Sequence, residues 1–133
     1  MDRVCHFEIP FSEKARAEKF YQDVFGWQIA PAPGDNPYSY SFAITTPVDE
    51  QFQPQQTGGI NGGMYPRGDE GGSTTPVVVI EVESCETRIA DVEAAGGSKV
   101  MGPTEIPNMG IYAQVRDPES NIIGLWQPLA PPQ

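Results

Sequence analysis

Val4-Cys5-His6-Phe7-Glu8-Ile9 carries the single histidine of the chain at the head of what its residue types predict as a first β-strand. Strand side chains alternate between faces, so Val4, His6 and Glu8 share one face and Cys5, Phe7 and Ile9 the other. The second face is the more apolar and is expected to meet a helix. The first sets an imidazole beside a carboxylate, which reads as half of a metal site, the polar wall of a pocket, or a solvated surface.

A helix is predicted directly afterwards. Ser12 is a suitable N-cap, Glu13 adds negative charge to the first turn, and Ala17, Phe20, Tyr21, Val24 and Phe25 form an apolar stripe. Gly26 is placed to end the helix, and Trp27 to Ile29 read as a short strand. Residues 38–46 alternate, with Tyr40, Phe42 and Ile44 opposite Ser41 and Ala43, which predicts another strand. Residues 47–57 read as an exposed loop. Gly58, Gly59, Gly62 and Gly63 follow without a GK[ST] sequence, so a bent strand with close backbone approach is expected rather than a phosphate loop.

The glycine-rich residues 66–76, with Gly68, Gly71, Gly72, Ser73 and Thr74, mark an internal boundary, beyond which the pattern restarts. Val77 to Glu83 is β-branched, Ser84 is a cap, Cys85 to Ala95 reads as a helix, and Gly96-Gly97 ends it. A short strand at 99–101, a turn at Gly102-Pro103, strands over Gly110 to Arg116 and Ile122 to Gln127, and a frayed tail at 130–133 complete the reading. Phe7-Glu8-Ile9 is echoed by Ile80-Glu81-Val82, and Phe25-Gly26 by Ala95-Gly96. The expectation is an α+β fold, one domain over 1–133. Its two tandem βαβββ units, 3–65 and 76–127, are expected to form a curved, cup-like mixed sheet.

A chain of 133 residues suffices for one domain with its own core. Its net charge of −10, from 18 acidic and 8 basic residues, opposes a nucleic-acid partner and favours a neutral or cationic small molecule. No apolar run is long enough to span a membrane, and Asp2 and Glu8 interrupt any signal-peptide pattern, so a cytoplasmic protein is expected. Two cysteines make neither a disulfide framework nor a metal knuckle. Cys5 reads as a small apolar residue; Cys85 lies where the positive end of a helix favours a thiolate.

Alternation on the later strands places Tyr112, Gln114 and Arg116 on one face, and Trp126 on the face of Gly124. With His6, Glu8 and Glu81 they make a set of aromatic walls and few polar groups, the composition of a small-molecule site. Tyr112 and Trp126 read equally as core or dimer contacts, and Glu8 and Glu81 as rim surface. As site residues, the two carboxylates would select a cation, or Glu8 and His6 would act as an acid–base pair through one water. Arg116 is expected to form an ion pair near the turn at 117–121.

His6-Phe7-Glu8-Ile9-Pro10, the run from Phe20 to Trp27, Val92 to Gly97, and Asp117 to Trp126 occur in an order and spacing that resemble the vicinal oxygen chelate superfamily. That superfamily groups glyoxalase I, extradiol dioxygenases, fosfomycin-resistance proteins and bleomycin-binding proteins, and the resemblance covers Val4 to Gln127. It implies the two-unit cup and a homodimer. For metal-dependent members it also implies a His or Glu ligand on the first and last strand of each unit. At those positions this sequence offers His6, then Gly62 or Gly63, Val77 and Gly124. The expectation is therefore metal-independent binding of a cationic or aromatic small molecule, with no cofactor, by His6, Glu8, Glu81, Tyr112, Gln114 and Trp126. No catalytic residue is assigned. The alternatives are a metal-dependent lyase or dioxygenase with an unusual ligand set around His6 and Glu8, and an accessory module whose cup has no chemistry.

Overall fold

In the computed structural model, residues 1–32, 40–51, 53–68 and 73–129 are described. The expected strand start at 38–39 and the tail at 130–133 lie outside them. The elements are β1 (Val4–Phe11), α1 (Lys14–Phe25), β2 (Gln28–Pro31), β3 (Ser41–Ile44) and β4 (Asn61–Pro66), then β5 (Val77–Glu81), α2 (Cys85–Ala94), β6 (Ser98–Ile106), β7 (Gly110–Arg116) and β8 (Ile122–Pro128). The βαβββ order thus occurs twice, in an α+β fold. Two compact units result: one is His6–Pro76, the other Val77–Gln133 together with Met1–Cys5.

In the first unit the strands lie in the order β2-β3-β4-β1, with β1 and β4 parallel and the other neighbours antiparallel. Phe11, Ala43 and Met64 are buried, and Phe7, Ile9, Ala17, Tyr21, Trp27 and Ile29 pack against them. The apolar face of β1 therefore meets α1, as its alternation requires. Gly26 ends α1 with φ +70°, a left-handed conformation that glycine adopts without a Cβ penalty.

Two details of α1 depart from expectation. Its N-cap is Glu13, without a side-chain cap bond, and Ser12 Oγ instead accepts from Arg67 Nε at 3.2 Å. Phe20, Val24 and Phe25 are 50%, 58% and 59% exposed. The face that reaches the sheet is narrower than the apolar stripe, being carried by Ala17 and Tyr21, one turn apart. Phe20 packs edge-on against Tyr21, at 5.1 Å between ring centres.

The second unit repeats the plan in the order β5-β8-β7-β6, with β5 and β8 parallel. Ser84 caps α2 by accepting from the Thr87 amide at 3.2 Å. The helix buries Cys85 and Ile89 against Val82, Ala113, Val115 and Leu125. Cys85 is thus a core residue; burial pushes its thiol up, opposite to the thiolate expected from the helix end. β6 runs straight through Gly102-Pro103, where a turn was expected, because register shifts against β7 absorb the irregularity. At Gly102, with φ +78°, a Cβ would stand 2.6 Å from the Tyr112 carbonyl, so the backbone itself fills that space. The N-terminal residues belong to this unit: the Glu81 amide donates to the Arg3 carbonyl at 2.9 Å, and Arg88 binds Asp2.

Candidate functional site

The face of β1 turned away from α1 holds His6 and Glu8, which pair in register with Asn61 and Gly63 of β4. A Cβ at Gly63 would stand 1.7 Å from the Tyr40 hydroxyl, so glycine is what admits that phenol to the sheet surface. There it lies 3.0 Å from His6 Nε2, a hydrogen bond in which either partner is able to donate. Tyr65 extends the same face, with its hydroxyl donating to the Ser73 carbonyl at 3.4 Å.

Electrostatics follow from burial. Removal from water pushes His6 down from 6.5 to about 4, so its ring is neutral at pH 7. A base that weak is poorly matched to proton abstraction near neutrality, which disfavours the His6–Glu8 acid–base pairing. Glu8 is only 6% exposed. Burial and then the nearby Glu8 charge raise the Tyr65 phenol above its ordinary value. The face therefore presents a neutral imidazole, a buried carboxylate and two phenols: hydrogen-bonding groups of both senses with one centre that stabilises positive charge.

In the second unit, Tyr112, Gln114 and Trp126 share the sheet face away from α2, because their neighbours Ala113, Val115 and Leu125 occupy the helix side. Gln114, 2% exposed, donates from Nε2 to the Tyr112 hydroxyl at 3.0 Å. Its Oε1 is buried with no hydrogen-bond partner among the described residues. Tyr112 pairs across the ladder with Trp126, whose ring covers Gly110; a Cβ there would stand 2.9 Å from Cζ2.

Glu81 fares differently from its sequence counterpart Glu8. Its side chain is 36% exposed and lies 3.5 Å from Arg3. Arg116 makes no ion pair among the described residues, and donates to the Ser120 carbonyl at 3.0 Å. The structure thus joins His6 with Glu8 in one unit, and Tyr112 with Gln114 and Trp126 in the other. Tyr40 and Tyr65 were not among the expected site residues. The signal for Tyr40 was Gly63, a position without a side chain directly across from Glu8.

The metal arrangement implied by the resemblance does not fit these residues. No three His, Cys, Asp or Glu side chains among the described residues are grouped to hold an ion. Opposite His6 stands Asn61, not a glycine, and its Oδ1 is already engaged by the amides of Thr45 and Thr46 at 2.7 and 2.9 Å. Two residues before Glu81, as His6 is two before Glu8, stands Val79 rather than Val77, and its ladder partner is Gly124. Neither carries a donor atom on its side chain.

Residues 3–38 match the family model described as bleomycin resistance protein-like, N-terminal. Over 48 residues the chain is 44% identical to a glyoxylase-like domain-containing protein of Didymella fabae, covering 35% of this chain and 38% of that protein. The match thus spans little more than a third of the curated relative. A hypothetical protein of Bacillus halodurans C-125 superposes with TM-score 0.66 at 14% identity, covering 99% of this chain and 98% of its own. A methylmalonyl-CoA epimerase of Mycobacterium tuberculosis superposes with TM-score 0.64 at 13% identity, covering 96% and 88%. At such identities the likeness is one of fold.

Proposed function

We propose that this chain, whose fold is that of the glyoxalase/bleomycin-resistance (vicinal oxygen chelate) superfamily, binds a small cationic or aromatic molecule without a metal. The observation that carries this reading is the buried Glu8 carboxylate on one sheet face with neutral His6 and the phenols of Tyr40 and Tyr65. A carboxylate withdrawn from water attracts a cation more strongly than an exposed one, and the aromatic rings beside it offer a second attraction for the same charge. Tyr112, Gln114 and Trp126 offer similar chemistry on the second unit, where Gln114 Oε1, without a partner among the described residues, is an acceptor for a ligand N–H or O–H. Glu81 is less suited, since Arg3 and solvent already share its charge.

The test is a thermal-shift screen of aromatic amines and quaternary ammonium compounds against their neutral analogues, with the protein's metal content measured beforehand. A cationic hit is expected to lose about 10- to 100-fold in affinity in Glu8→Gln, the scale of one hydrogen bond to a charged group. Equal affinity in Glu8→Gln and wild type removes the carboxylate from the site. Near-stoichiometric metal in the purified protein overturns metal independence and favours the lyase or dioxygenase alternative.

A further inference from the structure

Helix α1 leaves part of its apolar stripe open to solvent. Ala17 and Tyr21 reach the sheet, but Phe20, Val24 and Phe25 each keep half or more of their surface exposed. Their rings are already fixed by one another: Phe20 meets Phe25 at 6.0 Å and 75°, and Phe25 meets Tyr21 at 6.1 Å and 30°. A face held in this way loses little side-chain freedom when it is covered.

The distribution of charge says what covers it. Residues 13–25 hold three of the 18 acidic and three of the 8 basic residues, so the segment is neutral and the whole net charge of −10 lies elsewhere. α2, by contrast, carries three acidic residues and one basic. Two copies of a chain this acidic repel one another unless they meet at a neutral patch, which α1 supplies. The pattern along α1 is also complementary to itself. Phe20 and Val24 lie side by side, and Arg16 and Asp23, seven residues apart, flank them on the side away from the sheet. Arg16 and Asp23 stand equally far on either side of the middle of the helix (Lys14–Phe25). Their side chains are 70% and 58% exposed, and their partners, Glu13 at 3.4 Å and Lys19, belong to the same helix. Exposed pairs of this kind are weak and exchange readily.

We infer that α1 is the docking surface for a second copy of this chain, in an isologous pair of antiparallel helices. Phe20 packs on its twin at the two-fold axis, Val24 packs against the partner's Ala17, and Arg16 meets the partner's Asp23 at both ends of the contact. Every group involved lies in the first unit, on the side of its sheet opposite His6 and Glu8.

The test is sedimentation equilibrium of the untagged full chain at low salt, from about 1 μM to about 1 mM. Wild type is expected to pass from monomer to dimer in that range, and a monomer throughout overturns the surface. Phe20→Glu should weaken the dimer by about 30-fold or more, since it buries a charge at the axis. Its unfolding midpoint should stay near that of wild type because the side chain is half in water; Val24→Glu serves the same purpose if Phe20→Glu fails to fold. A folded variant that dimerises as tightly as wild type overturns the proposal. Arg16→Glu and Asp23→Lys, each alone, set like charges against each other and should weaken the dimer by about tenfold. An equimolar mixture of these two variants sets opposite charges at both contacts and should recover the wild-type affinity. A mixture no tighter than either variant alone overturns the antiparallel pairing. None of these substitutions touches Glu8, whose ligand reading is tested by its own variant.

Discussion

Acid should unfold this protein partly through one residue. His6 has its pKa held at about 4 by burial, against 6.5 for the exposed side chain. The unfolded chain therefore takes up the proton first as pH falls. The folding free energy associated with His6 is complete above about pH 6.5 and is lost progressively down to about pH 4. The gap corresponds to about 3 kcal/mol in full, of which about 2 kcal/mol falls between pH 7 and pH 5. With one histidine in the sequence, its ring Cε1–H resonance reports the titration without ambiguity. Urea unfolding of wild type and His6→Gln at both pH values isolates the contribution, since glutamine retains a partner for Tyr40 but does not titrate. Wild type should lose about 2 kcal/mol more than the variant over that interval. A measured pKa of about 6 or above, or equal losses in the two proteins, would refute the claim that burial governs this imidazole.

Gly63→Ala forces a methyl group into the Tyr40 hydroxyl and separates it from His6. Overpacking and one lost hydrogen bond together should cost about 2–4 kcal/mol in denaturant melts. The His6 pKa should rise toward its ordinary value as water replaces the phenol; an unchanged pKa would show that Tyr40 does not shield the ring. Ser84→Ala removes the bond to the Thr87 amide and should cost about 1 kcal/mol, with amide exchange fastest in the first turn of α2. Uniform protection along that turn would deny the cap its role.

The repeated βαβββ order was legible because it depends on local signals: alternation in β1 and β7, the helical glycine at Gly26, and the cap at Ser84. The helix start was misplaced by one residue because Ser12 has a stronger competitor for its hydroxyl in Arg67, distant in sequence. The exposed stripe of Phe20, Val24 and Phe25 shows the limit of periodicity, which says that a helix has an apolar face but not how much of it a small sheet covers.

The candidate sites divide in the same way. That His6 and Glu8 share a face, and Tyr112 and Gln114 another, follows from a period of two, which any reader of the sequence obtains. That Glu8 is buried while Glu81 reaches Arg3, that Asn61 stands opposite His6, and that Tyr40 comes down over Gly63 were decided by pairings between strands far apart in the chain. Alternation is a property of one strand and is written in it. Register, burial and the pKa that burial sets belong to pairs of strands, and they exist only once tertiary structure has brought those strands together.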